Sequence, residues 1–150
     1  MIDIIVISIS TPIKIGIYEN QVLIKEIEQE GKTSDILPLI FKKLLKEYDI
    51  KSITYVNTPG SYMAIKVAYV FLKTVCIARN IELNAASGFL FNDNSPIKAL
   101  GKKYFFNKKG EIIIDFLEEK SIISDFKLPK SLDKTKFSSN TLPIYNLPAV

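Results

Sequence analysis

SITYVNTPGSYMAIKVAYVFLKTVCIAR, residues 52–79, is the stretch on which the fold turns. Its first six residues are rich in β-branched and aromatic side chains and read as a strand. Thr58-Pro59-Gly60-Ser61 then forms a sharp turn into a helix. From Ser61 to Arg79, 14 of 19 positions are hydrophobic, and Lys66 and Lys73, seven apart, share one narrow polar stripe. A helix apolar nearly all round has to be covered on several sides. A sheet and a second helix can cover part of it, which leaves another molecule as a natural cover for the rest. Backbone N–H groups at such a junction can hold an anion. No lysine follows in the place a phosphate loop requires, so Pro59-Gly60 is read as the turn and Ser61 as the helix cap.

Upstream, residues 2–9 are almost continuously apolar, the pattern of a buried central strand. Ser10-Thr11-Pro12 turns the chain. Residues 13–18 and 21–28 alternate with period two on either side of Glu19-Asn20, which predicts an antiparallel meander of three strands. Gly31–Ser34 is a break. Ser34 is placed to cap a helix running to about Tyr48, with Asp35 in its first turn and Pro38 in its second. Downstream, residues 81–85 read as a further strand and 87–91 as a helical turn. Residues 97–106 and 111–117 read as a hairpin around Asn107-Lys108-Lys109-Gly110. Beyond Glu118 the pattern decays, and Pro129, Pro143 and Pro148 mark an irregular tail. The predicted order is β-β-β-α-β-α-β followed by a hairpin. It describes an α/β fold, a mixed sheet with flanking helices. This is one ribonuclease-H-like half of the actin-like ATPase architecture, with a truncated second half. The expected division is a ribonuclease-H-like domain over residues 1–95, a hairpin remnant of the second half over 96–118, and the tail over 119–150.

On these residues a resemblance to a known family can be stated. Thr58-Pro59-Gly60-Ser61-Tyr62-Met63-Ala64-Ile65-Lys66 resembles the Gly-Pro-Gly-Ser-Phe-Thr-Gly-Leu-Arg stretch of the TsaB (YeaZ) family, and likewise joins a strand to a long apolar helix. Ser34-Asp35-Ile36-Leu37-Pro38-Leu39-Ile40 is similar to that family's Ser-Glu-x-Leu-x-Pro-x-Ile helix start, and Ile7-Ser8-Ile9-Ser10-Thr11 stands where it has Ile-Asp-Thr-Ser-Thr. The resemblance covers about residues 1–90. It departs at Ser8, where nucleotide-binding relatives carry an acid, and at Thr58, Met63, Ala64 and Lys66. It implies a non-catalytic scaffold for the machinery that puts threonylcarbamoyl on adenosine in tRNA. The partner it implies is the catalytic subunit TsaD, which carries the metal and nucleotide, so that this chain needs no cofactor or metal of its own. It also implies association with the ATPase TsaE and a homodimer when alone. Two adjacent helices with wide apolar faces can pair with two from another subunit as a four-helix bundle. The interface candidates are Ile36, Leu37, Ile40, Phe41 and Leu44 on the first helix, and Met63, Val67, Val70, Phe71 and Thr74 on the second.

Composition narrows the chemistry. The chain has 150 residues, 47% of them hydrophobic, enough for one domain with a real core. There is no histidine, which removes the commonest metal ligand and general base. A metallopeptidase, the activity in the family's older glycoprotease label, is excluded on the same ground, since the chain has no His-Glu motif. The single cysteine, Cys76, lies in an apolar run and is read as a small core residue, and one cysteine with no signal peptide ahead of the first strand fits a reducing cytoplasm. The alternative to a scaffold is a small metal-dependent nucleic-acid hydrolase built on Asp3, Asp35, Asp93 and Asp115, which would have to converge at strand ends. The net charge is +4, and residues 51–110 hold 9 Lys and Arg against 2 acids. Lys98, Lys102, Lys103, Lys108 and Lys109 carry much of this excess. They are read as a solvated surface, with tRNA contact at most indirect, because no aromatic–Arg interleaving or RNA-binding motif accompanies them.

Overall fold

The computed structural model describes residues 1–147; Pro148, placed in the tail by its sequence, lies outside them. Strands β1 (Ile2–Ile7), β2 (Ile13–Glu19) and β3 (Val22–Gln29) form the antiparallel meander. Helix α1 (Thr33–Glu47) leads into β4 (Ile50–Thr58), and α2 (Tyr62–Arg79) into β5 (Glu82–Ser87). The sheet order is β3-β2-β1-β4-β5, with β1–β4 and β4–β5 parallel. This is the ribonuclease-H-like mixed sheet with flanking helices that the pattern predicts.

Every residue of β1 is buried because both faces of the sheet are covered. Ile2, Ile4 and Val6 point to the helix layer with Leu37, Phe41, Leu44, Ala68, Leu72 and Cys76. Ile5 and Ile7 point the other way, to Tyr18, Val56, Ala86, Phe91, Leu128 and Leu132. The period-two alternation of a strand thus feeds two separate apolar clusters. Cys76 is in the core as expected, and burial pushes its thiol up to about 11, partly offset by Lys73.

Helix α1 begins two residues earlier than its sequence suggests. Lys32, not Ser34, is the capping residue: its carbonyl accepts from the N–H groups of Asp35 and Ile36, and no side chain caps the helix. Strand β5 extends to Ser87 because its parallel pairing with β4 continues to Thr58. The expected hairpin is a three-stranded sheet, β6 (Ile97–Lys98), β7 (Lys103–Lys108) and β8 (Glu111–Phe116), in that order. Its first arm breaks at Gly101, where φ is +61°, and the β7–β8 turn passes through Lys109 and Gly110, both with positive φ.

The segment after Glu118 is irregular in secondary structure but closely bound to the sheet. The Lys14 ammonium donates to the Phe126 carbonyl at 2.7 Å, and the Tyr18 hydroxyl to that of Pro129 at 2.7 Å. Leu23 N–H donates to Lys130 and Leu132 N–H to Gln21, so the segment clips the β3 edge. Ser138 exchanges both backbone hydrogen bonds with Ala85 on the opposite edge strand. The Tyr55 hydroxyl then donates to the Thr141 carbonyl, the Asn57 amide to that of Leu142 at 2.9 Å, and Tyr145 stacks on Tyr62 at 4.4 Å between ring centroids. Residues 126–146 are therefore a strap tied to both edges of the sheet, with Leu128 and Leu132 as its apolar studs.

Candidate partner-binding groove

Helix α2 carries two stripes. Ile65, Ala68, Leu72 and Cys76 face the sheet and are buried. A second stripe runs along Met63, Val67, Val70, Thr74 and Ile77, at the i, i+4, i+7 spacing of one helix face. Met63 is 58% exposed, Val70 54% and Ile77 71%, an unusual display of apolar surface for a helix layer. The Ser61 hydroxyl accepts from Ala64 N–H at 3.2 Å, so Ser61 caps α2. At the other end Asn80 takes the left-handed conformation that stops the helix.

Between this stripe and the start of α1 lies an open groove of about 480 Å³, lined by Pro38, Met63, Lys66, Val67, Val70, Phe71 and Thr74 with Thr33 and Ser34 at its end. Phe71, one of its lining residues, meets Phe41 edge to face, with centroids 5.9 Å apart. Through Thr33, Ser34, Met63 and Val67 the groove is continuous with a hydroxyl-rich cavity of about 660 Å³. That cavity is lined by Ser8, Ser10, Thr11, Lys32 and Ser61, at the end of the sheet where α1 and α2 start. Ser8 is buried there, and none of the residues lining either cavity carries a carboxylate.

The ten candidate residues divide three ways. Met63, Val67, Val70, Phe71 and Thr74 line the groove. Ile36 and Ile40 lie in a separate depression between α1 and β3, beside Ile27 and Lys43. Leu37, Phe41 and Leu44 are at most 1% exposed, and their selection as outward surface is corrected. The wide apolar arc of α1 is spent on the sheet and on α2, because a helix lying over a sheet and beside another helix buries two flanks. Reading the sequence missed Leu39, 68% exposed on α1, and Ile77. The spacing from Met63 through Val70 would have found Ile77. Leu39 carries no such signal, since the residues one helical turn away from it include Asp35, Lys42 and Lys43, which mark a polar face.

The carboxylate alternative loses its geometry. Asp3 accepts from the Ser52 hydroxyl and pairs with Lys134 of the strap at 3.0 Å. Asp35 is on the first turn of α1, Asp93 in a loop and Asp115 on β8, all exposed. Among the described residues no three His, Cys, Asp or Glu side chains gather in a way that would hold a metal ion. The lysine cluster is closer to aromatic rings than its sequence suggests. Lys98 lies over Tyr104 at 5.0 Å, Lys103 over Phe116 at 5.4 Å and Lys108 over Phe106 at 5.8 Å. Glu111 and Asp115 stand directly opposite Lys108 and Tyr104 in the sheet, so the patch is mixed in charge.

The sheet order and the open α2 stripe define a ribonuclease-H-like α/β protein whose prominent surface feature is an apolar groove. No protein-family model matches the chain, and no curated protein does. Solved structures do match: YeaZ from Pseudomonas aeruginosa superposes with a TM-score of 0.59 at 10% identity, over 82% of this chain and 66% of that one. A second, described as an uncharacterized protein with similarity to peptidase YeaZ from Pseudomonas aeruginosa, gives 0.54 at 11% identity, over 76% and 63%. The fold is YeaZ-like, and the chain spans slightly less than two thirds of the length of these structures. Among the described residues no helix is long and apolar enough to cross a membrane.

Proposed function

We propose that this protein is a non-catalytic scaffold of the TsaB type, whose α2 groove binds the catalytic subunit TsaD in the modification of tRNA adenosine to threonylcarbamoyladenosine. The observation that carries the reading is the exposed apolar stripe Met63, Val67, Val70 and Thr74 beside Pro38 and Phe71. Monomeric proteins seldom leave a groove of this kind open unless something docks in it. The YeaZ-like fold and the resemblance of residues 58–66 and 34–40 support TsaD as the partner. The lack of histidine, and a hydroxyl-lined cavity with no acid, favour a binding role over catalysis in this chain. TsaE and the ATP chemistry belong to the complex in this reading.

The test is co-purification of tagged chain with TsaD, using Val70→Asp. Val70 is 54% exposed on the outer side of α2, so the variant keeps the wild-type circular dichroism and urea midpoint while losing TsaD. Retention of TsaD by a folded Val70→Asp protein overturns the assignment.

A further inference from the structure

The two sheets end in the edge strands β3, β5, β6 and β8, and the first three are guarded. The strap bonds to Leu23 of β3 and to Gln21 beside it, and the rest of β3 carries Lys25, Glu26 and Glu28. Ser138 exchanges both backbone bonds with Ala85 on β5. Strand β6 is two residues long. Strand β8 reads Glu-Ile-Ile-Ile-Asp-Phe, with no lysine, no proline and no shift of register against β7. Among the described residues no backbone bond reaches its outer edge, and Ile113, Ile114 and Phe116 are exposed. We propose that β8 pairs antiparallel with β8 of a second copy of this chain, about a two-fold axis through Ile114.

The hairpin fixes which residues can meet. Lys109 and Gly110 make a two-residue loop, so the flanking pair, Lys108 and Glu111, exchanges both backbone bonds. Alternation then turns the N–H and C=O groups of Ile112, Ile114 and Phe116 to the open edge. Phe116 N–H accordingly donates to the Asp115 carboxylate at 2.7 Å and not to β7. Outward groups have to meet outward groups, so a two-fold axis passes through a residue of the strand and never between two. An axis through Ile113 sets Glu111 directly against Asp115 of the other copy, and like charges so placed repel. An axis through Ile114 sets Ile114 against itself and Ile112 against Phe116, with no acids opposed. Axes nearer either end pair fewer residues.

The faces agree with this register. Ile114 stands opposite Phe105 across the hairpin, so Ile112, Ile114 and Phe116 share the face of that buried ring. Pairing about Ile114 therefore extends one apolar face through both copies and covers Phe116, which is 59% exposed in the single chain. Antiparallel pairing also lays the basic loop, Lys108 and Lys109, beside the end where the other copy carries exposed Glu118 and Glu119 against one Lys120. A foreign strand would be served by the open backbone alone, whereas the match of faces and charges is to β8 itself. None of these residues lines the α2 groove, so a dimer formed here leaves that groove open. Six residues a side make a small interface, so association is weak and depends on concentration.

Sedimentation velocity of the full chain tests this through the axis residue. The wild type is expected to pass from monomer to dimer between about 5 μM and about 500 μM. A charge at position 114 faces its own copy across the axis, so Ile114→Lys and Ile114→Glu each weaken self-association by about tenfold or more. An equimolar mixture of the two sets an ammonium opposite a carboxylate and restores the dimer. Phe116→Glu, at a position already exposed, keeps the wild-type circular dichroism and separates the copies even if the changes at 114 disturb the hairpin. Val70→Asp leaves this dimer intact. A wild type still monomeric at about 500 μM, a dimer that survives Phe116→Glu, or a dimer lost with Val70→Asp overturns the proposal. A mixture of folded Ile114→Lys and Ile114→Glu chains that stays monomeric overturns the axis, and with it the two-fold pairing.

Discussion

Gly16→Ala probes the strap through the sign of its effect. Gly16 lies on the strap side of β2, and a Cβ added there stands 2.9 Å from Tyr18 Cε1, 3.0 Å from Leu128 Cδ2 and 3.2 Å from Leu23 Cδ1. Tyr18 cannot swing aside freely, because its hydroxyl is held by the Pro129 carbonyl at 2.7 Å. Leu128 is 7% exposed and fixed by the strap on both sides. Overpacking of this kind costs about 1–3 kcal/mol, and releasing the Tyr18 bond to relieve it costs about 1 kcal/mol more. Alanine in a strand otherwise gains about 0.5–1 kcal/mol over glycine by restricting the unfolded chain. With the strap seated, the net is a loss of about 1–3 kcal/mol in urea denaturation followed by far-UV circular dichroism. With the strap off the sheet, Tyr18 and Leu128 move away and the substitution is neutral or stabilising. An unchanged or raised urea midpoint therefore refutes the seated strap. Leu128→Ala in the same background is expected to recover part of the loss, since it removes one of the three crowded atoms.

Phe41→Ala removes a fully buried ring and its edge contact with Phe71, so it is expected to lower unfolding free energy by about 3–5 kcal/mol, whereas Leu39→Asp on the same helix shifts it by less than about 0.5 kcal/mol. Comparable losses from the two would mean that α1 is rotated relative to this description. Stability is expected to fall at alkaline pH. Burial raises the phenols of Tyr18 and Tyr55 out of their ordinary range, with Glu26 adding to the first and Tyr69 and Tyr145 to the second, and Cys76 is raised to about 11. All three have folded pKa values above their unfolded ones, so their contribution is complete below the ordinary thiol and phenol values and is lost as pH rises beyond them. A lower urea midpoint at about pH 10.5 than at about pH 8, and tyrosinate absorbance that lags for two tyrosines until unfolding, checks this. Lys134→Ala breaks the ion pair with Asp3 but leaves the Ser52 hydrogen bond, and is expected to cost less than about 1 kcal/mol by the same denaturation measurement.

The order of elements was legible in the sequence because each segment carries its own period. Residues 2–7 are apolar except for Asp3, residues 13–29 alternate, and residues 62–79 have only one polar stripe, so strand, meander and helix can be assigned locally. The carboxyl-terminal strap was not legible. It makes its hydrogen bonds at scattered points, to Tyr18, Ala85 and Asn57, more than fifty residues away, and such bonds leave no periodic trace.

The groove was half legible, for a related reason. The apolar surplus of α2 is a property of composition, and residues 52–79 alone require that something cover it. Which of its stripes stays open depends on where the sheet and α1 lie, and those are decided by contacts between distant segments. The sequence alone determined the β-β-β-α-β-α-β order and the excess of apolar surface on two helices. Only the tertiary structure decided that Leu37, Phe41 and Leu44 turn inward while Met63, Val67 and Val70 remain at the surface, because burial follows from what packs against a helix face and not from the face's own composition.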